Sequence, residues 1–242
     1  MKNALSRCAV GAALVSFAGA GQAQISQYSE DFEGLNAANP TELGDAGWLV
    51  GANVFDSTGT TFLYNYFAFA APNGGPAFSA IDSGQGGPAQ GAQQLSVYND
   101  YNNADHGNGS GNRIEANVFR EYTIDASNAG TWSFSFDAKL GNLAGASTAF
   151  AFIKILDPNA GFAQTGGDII DLTNTSTEWQ GYTLSADVDA SQAGQIFQIG
   201  FFSVASNFES SGVFYDNLNL VPTPAAAGLL GMGGLIAMRR RR

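Results

Sequence analysis

Alternate positions of Trp132-Ser133-Phe134-Ser135-Phe136-Asp137 are aromatic and those between are polar, the two-residue repeat by which a β-strand buries one face and wets the other. Comparable runs recur at 25–32, 48–55, 62–70, 77–81, 94–98, 114–124, 148–156, 179–186, 196–204 and 213–220. Hardly any segment keeps a helical period over three turns, so the pattern predicts an all-β chain. Between the runs stand Pro72-Asn73-Gly74-Gly75-Pro76, the Gly-rich 84–91, Asp157-Pro158-Asn159 and Gly166-Gly167, residues that supply fixed or positive φ angles for turns. About ten short strands at this spacing predict a sandwich of two sheets. The longest polar stretch, 99–112, is too rich in Asn and Gly to pack and is expected as a surface loop.

Both extremities break this pattern. At the start, Lys2 and Arg7 precede an apolar run at 9–18 and the small-x-small exit Gly21-Gln22-Ala23, which predicts a secretory signal peptide over 1–23 with Gln24 as the new N-terminus. The single cysteine, Cys8, leaves with it, so the mature chain is expected to hold no disulfide. At the other end, 221–242 reads VPTPAAAGLLGMGGLIAMRRRR. The apolar segment 225–238 has 14 residues; as a helix it spans about 21 Å, short of a hydrocarbon core about 30 Å thick. Counting from Val221 gives 18 residues, a marginal span weakened by Gly228, Gly231, Gly233 and Gly234. The positive-inside rule keeps Arg239, Arg240, Arg241 and Arg242 in the cytoplasm and places the body on the opposite side.

This order of proline pair, apolar segment and arginine block resembles the PEP-CTERM sorting signal, with Pro222-Thr223-Pro224 in place of the usual Pro-Glu-Pro. The resemblance covers 222–242 and Val221 before it. It implies an exosortase-type sorting enzyme as partner, transient anchoring in the inner membrane, removal of the tail, and delivery to the cell surface or extracellular matrix.

The remaining body, 24–221, has 198 residues, enough for one sizeable core in one domain. It holds all 21 acidic residues against only Arg113, Arg120, Lys139 and Lys154, a net charge of −17. Nucleic acid is thereby excluded as a partner, since phosphate binding needs a basic surface. No glycine pattern of a phosphate-cradling loop is present.

Asp31-Phe32-Glu33 opens the body and Phe214-Tyr215-Asp216-Asn217-Leu218-Asn219-Leu220 closes it. This pair of motifs resembles the jelly-roll carbohydrate-binding-module type. The resemblance implies a two-sheet jelly roll whose end strands lie side by side, with Glu33 and Asp216 as ligands of a structural Ca²⁺; such an ion takes six to eight hard oxygens. Candidate sugar-stacking residues are Tyr64 and Tyr66, which share one strand face, and Tyr98 and Tyr101, which flank the start of the polar loop. Trp48, Trp132 and Trp179, at strand starts, are expected in the core.

Catalysis finds little support in the sequence. Asp168/Asp171 and Asp187/Asp189 sit at strand edges beside turn residues, away from the mid-sheet placement of a glycosidase pair. His106 is the lone histidine, which excludes a Ser/His/Asp triad elsewhere and supplies no zinc-ligand set. The expected function is an exported surface or matrix protein whose non-catalytic module binds an extracellular polysaccharide. A purely structural or adhesive protein and a glycoside hydrolase or lyase stand as alternatives.

Overall fold

A computed structural model describes residues 23–67, 79–99, 111–206 and 211–223. Most of the expected signal peptide, Tyr101, His106, Pro224, the segment 225–238 and Arg239–Arg242 lie outside the described residues. Within them no helix is long and apolar enough to cross a membrane.

The described strands are β1 (Tyr28–Glu30), β2 (Leu49–Phe55), β3 (Phe62–Phe67), β4 (Ser79–Ser83), β5 (Gln93–Asn99), β6 (Arg113–Thr123), β7 (Gly130–Leu143), β8 (Thr148–Asp157), β9 (Ala163–Asp171), β10 (Gln180–Val188), β11 (Ile196–Ser206) and β12 (Ser211–Pro222). One helical turn, α1 (Glu42–Asp45), precedes β2. The strands form two antiparallel sheets, a front sheet ordered β3-β2-β6-β11-β8-β9 and a back sheet ordered β10-β7-β12-β5-β4, with β1 also paired to β12. The expected all-β, two-sheet sandwich is observed.

The alternation in β7 works as read: Trp132, Phe134, Phe136 and Ala138 are buried, while Ser133, Ser135 and Asp137 are only partly so. Their rings knit the layers together. Phe201 of the front sheet stacks on Tyr215 of the back sheet at 3.7 Å and meets Phe136 edge-on at 5.2 Å. Burying aromatics of this size, each shedding about 150–250 Å² of water-accessible surface, is the dominant favourable contribution to the fold.

Two crossovers between the sheets repeat one local design. Asp125-Ala126-Ser127-Asn128 carries the chain from β6 to β7, and Asp189-Ala190-Ser191-Gln192 from β10 to β11. Each Asp caps a short 3-10 turn by accepting the N–H of its Ser at 2.8 Å. Asn128 and Gln192 reciprocate by accepting the backbone N–H of Asp125 and Asp189, the capping-box arrangement. The two turns pack against each other at one end of the sandwich.

Two sequence boundaries shift. Gly166 and Gly167, read as a turn, lie inside edge strand β9, where the register slips opposite Ile155 and Leu156. Gly167 has φ +120°, and a Cβ there would fall 2.1 Å from the Ile153 carbonyl oxygen, so only glycine fits. Pro222, read as the start of the tail, is the last residue of β12, and the Thr223 N–H donates to Thr131 O at 2.7 Å. The body strand therefore runs into the Pro222-Thr223-Pro224 stretch at Pro222.

Candidate functional site

The chain ends meet at an acidic junction. Beyond β1, Phe32 adopts φ +60° with its ring fully buried, which turns the chain so that Glu33 reaches the loop before β5. There Glu33 Oε1 accepts the N–H groups of Ala92 and Gln93 at 2.7 and 2.6 Å. Gln93 Nε2 returns hydrogen bonds to the carbonyls of Phe32 and Leu35. On β12 a bulge between Asp216 and Asn219, with Asn217 at φ +51°, rotates Asp216 into the interior. Asp216 Oδ1 accepts the Asn217 N–H at 2.6 Å, while Oδ2 is buried without a partner.

Burial pushes the Asp216 carboxyl up to about 7; the Asn217 N–H opposes this, and the charges of Asp137, Asp31 and Glu33 add to it. Glu33 and Asp216 are thus brought into one electrostatic neighbourhood, as the end motifs implied. Asp137 and Asp31 join them. Asp137 Oδ2 accepts from Asn217 Nδ2 at 2.9 Å and from Gln90 Nε2 at 2.8 Å. An open pocket of about 360 Å³, lined by Ser29, Glu30, Asp31, Asn217, Leu218 and Asn219, adjoins the junction. Among the described residues no three acidic, histidine or cysteine side chains close in tightly enough to grip a metal unaided. The orphaned Asp216 oxygen and the hard-oxygen chemistry around it fit Ca²⁺, with carbonyls and water completing its shell.

The described tyrosines among those singled out in the sequence are divided between the two sheets. Tyr98 lies on β5 of the back sheet, opposite Gly212. Tyr64 and Tyr66 lie on edge strand β3 of the front sheet, opposite Val54 and Ala52. Trp48 and Trp132 are core residues, their indole N–H groups donating to Tyr28 Oη and Asn128 O. Trp179 departs from expectation: it is half-buried beside the 84–91 loop, bonded to the Gly86 carbonyl. Asp168, Asp171 and Asp189 each accept a nearby backbone N–H, and Asp187 accepts the Thr131 hydroxyl.

A feature the sequence reading missed lies on the front sheet, on the face turned away from the back sheet. Val50, Val118, Ala151 and Phe201 point into the main core, whereas Phe119, Phe152 and Phe202 form a second apolar cluster with Leu49, Phe150 and Val204. Register across β3, β2 and β6 aligns Asn65, Asn53 and Glu115 in one row. The next row across β6, β11 and β8 holds Asn117, Phe202 and Phe150, and two rows further on stand Glu121, Gln198 and Lys154. Phe150 and Phe202 stack at 4.8 Å. Glu115 Oε1 accepts from Asn53 Nδ2 at 2.9 Å and Asn117 Nδ2 at 3.1 Å. Asn53 Oδ1, Asn65 Nδ2 and Gln198 Oε1 are buried with no partner. A small cavity, about 10 Å³, opens beside Asn53, Asn65 and Phe119. The sequence did carry a signal for this face: Lys154, Glu115, Asn117 and Gln198 each interrupt an otherwise apolar strand.

No protein-family profile matches the chain, and no curated protein matches it by sequence. Solved structures with a similar fold include TmCBM61 in complex with β-1,4-galactotriose, 12% identical over 74% of this chain and 93% of that one, TM-score 0.39. The CBM22-1 xylan-binding domain of Paenibacillus barcinonensis Xyn10C is 12% identical over 65% of this chain and 90% of that one, TM-score 0.37. A Stig cyclase of Fischerella sp. TAU is 15% identical over 83% and 100%, TM-score 0.43. Sugar-binding modules and cyclases both stand among these matches, at 12–15% identity, and the function has to be argued from the residues of the chain itself.

Proposed function

We propose that the body is a non-catalytic glycan-binding module displayed outside the cytoplasm, and that its ligand lies on the outward face of the front sheet. The observation that carries this reading is the combination found there. Phe150, partly exposed and backed by the buried ring of Phe202, shares that face with a small cavity at Asn53 and Asn65, amides with acceptor and donor atoms to spare. Sugars need both: rings stack on the apolar faces of pyranoses, and hydroxyls donate and accept at once. An unmade buried hydrogen bond costs roughly 1–3 kcal/mol, which a bound hydroxyl would recover. Ca²⁺, taken by the free oxygen of Asp216 with Glu33 beside it and with carbonyls and water completing its shell, would clasp the two chain ends by neutralising the buried carboxylate; it takes no part in sugar recognition.

Display follows from the terminal segments: the signal-like 1–23 exports the chain, and the 222–242 tail hands it to an exosortase-type enzyme at the inner membrane. Isothermal titration of the purified chain against soluble polysaccharides, with Ca²⁺ and with EDTA, tests the reading. Saturable heat with a polysaccharide supports it. Absence of binding across neutral and acidic polysaccharides leaves the structural or adhesive role, and release of reducing sugar establishes an enzyme.

A further inference from the structure

The exposed large apolar side chains among the described residues are Leu63, Tyr64, Phe67 and Ile169, and the first three stand together on β3 at 40–45% exposure. β3 is an end strand of the front sheet, with one edge turned away from β2. Such an edge offers a row of backbone N–H and C=O groups to another strand, and folds commonly blunt it with charge. The other end strands follow that habit: Asp82 stands in β4, Asp168 and Asp171 in β9, and Asp187 in β10. β3 does not. From Ser57 to Ile81 the sequence holds no charged residue, in a body whose net charge is −17. A register slip takes Leu63 out of the ladder with β2, after which Tyr64–Phe67 runs regularly opposite Val54–Gly51.

The strand's own sequence indicates what covers this edge. Tyr64-Asn65-Tyr66 reads the same in both directions, with apolar Leu63 and Phe67 outside it. Antiparallel pairing of two copies about a two-fold axis at Asn65 sets Tyr64 of each against Tyr66 of the other, and opposed aromatic residues stabilise a strand pair. Charge points the same way. Two bodies this acidic repel each other, and a stretch without charge is where they can approach, whereas a basic partner would find nothing there to pair with.

We infer that the chain forms a two-fold dimer by adding β3 to β3, which joins two front sheets edge to edge. The inference goes beyond the glycan-binding reading and does not depend on it. Its consequence for that reading is geometric: the two-fold axis of an antiparallel pair stands perpendicular to the sheet, so both outward faces point the same way and can meet one polysaccharide together.

Sedimentation velocity of the purified chain from about 1 to about 100 μM tests it; a strand-sized contact lies at the small end of interfaces, so micromolar association is expected. Wild type should pass from monomer to dimer over this range, and added salt should tighten the dimer by screening the two net charges. Tyr64→Lys should weaken association at least tenfold. Ile169→Lys, on the opposite end strand, should stay within twofold of wild type. Asn65→Asp, which sets two carboxylates face to face at the axis, should weaken association at pH 7 and recover toward wild type near pH 4. Thermal melts check that the variants fold; if Tyr64→Lys does not, the wild-type series and Asn65→Asp decide. Wild type that stays monomeric at about 100 μM overturns the inference. So does association that survives Tyr64→Lys, which would run through another surface such as the apolar 225–238, and so does equal weakening by Ile169→Lys.

Discussion

Asp216→Asn removes a charge that the fold holds without a counter-ion, and its effect follows from the carboxyl's position. In the folded chain this group titrates at about 7, against about 3.9 when unfolded. A raised folded value means that the folded state binds the proton more tightly, so the carboxyl costs nothing below the unfolded value. The cost grows as pH climbs from about 4 to about 7, and it is constant above. Three pH units at about 1.4 kcal/mol each give a penalty on the order of 4 kcal/mol at pH 8 in the absence of metal. The variant should escape it, because the amide keeps an oxygen for the Asn217 N–H and carries no charge for Asp137, Asp31 and Glu33 to repel. Urea unfolding in EDTA at pH 8 and pH 4 measures this. With a slope of about 2 kcal/mol/M, the midpoint of Asp216→Asn should exceed wild type by up to about 2 M at pH 8 and match it at pH 4. Added Ca²⁺ at a hundredfold over Kd should raise wild type by about 2.7 kcal/mol and leave the variant unmoved. A variant less stable than wild type at pH 8 in EDTA would refute the reasoning.

Other outcomes follow from the same structure. Asp125→Ala and Asp189→Ala should each lower Tm by a few degrees at neutral pH through loss of a cap. Because hydrogen bonds from Ser127 and Ser191 hold both carboxyls below the ordinary range, the loss should fade as pH falls through their folded values, which paired melts at pH 7 and pH 2 would check. Gly167→Ala should cost about 2–3 kcal/mol in urea unfolding, given its φ and the Ile153 carbonyl at 2.1 Å from a built Cβ; a change within 0.5 kcal/mol would mean that β9 shifts freely. Mass spectrometry of cell-surface material should find the chain without Arg239–Arg242, and an intact tail there would contradict sorting by cleavage.

What the sequence disclosed and what it withheld have a common cause. Two-residue alternation shows that a strand has two faces, so Trp132, Phe134 and Phe136 were readable as core. It does not say which strands lie alongside. The row of Asn65, Asn53 and Glu115 comes from three strands, and Gln198 and Lys154 from two more; only register assembles them. β9 escaped because an edge strand exposed over most of its length, with two glycines, has no apolar period. The end motifs singled out Glu33 and Asp216, whose charges act on each other in the fold, yet Asp137 was hidden as the polar end of a core strand. Tyr98 was chosen for the polar loop beside it and Tyr64 and Tyr66 for their shared strand face, and neither signal says which sheet a strand joins: Tyr98 sits in the back sheet, Tyr64 and Tyr66 in the front.

The outward face of the front sheet is where the account can most directly fail. Titrating the polysaccharide that wild type retains into Phe150→Leu and Asn53→Ala, each verified as folded by its melt, should show affinity reduced tenfold or more in both. Undiminished affinity in both variants would place the ligand elsewhere and contradict the assignment of that face.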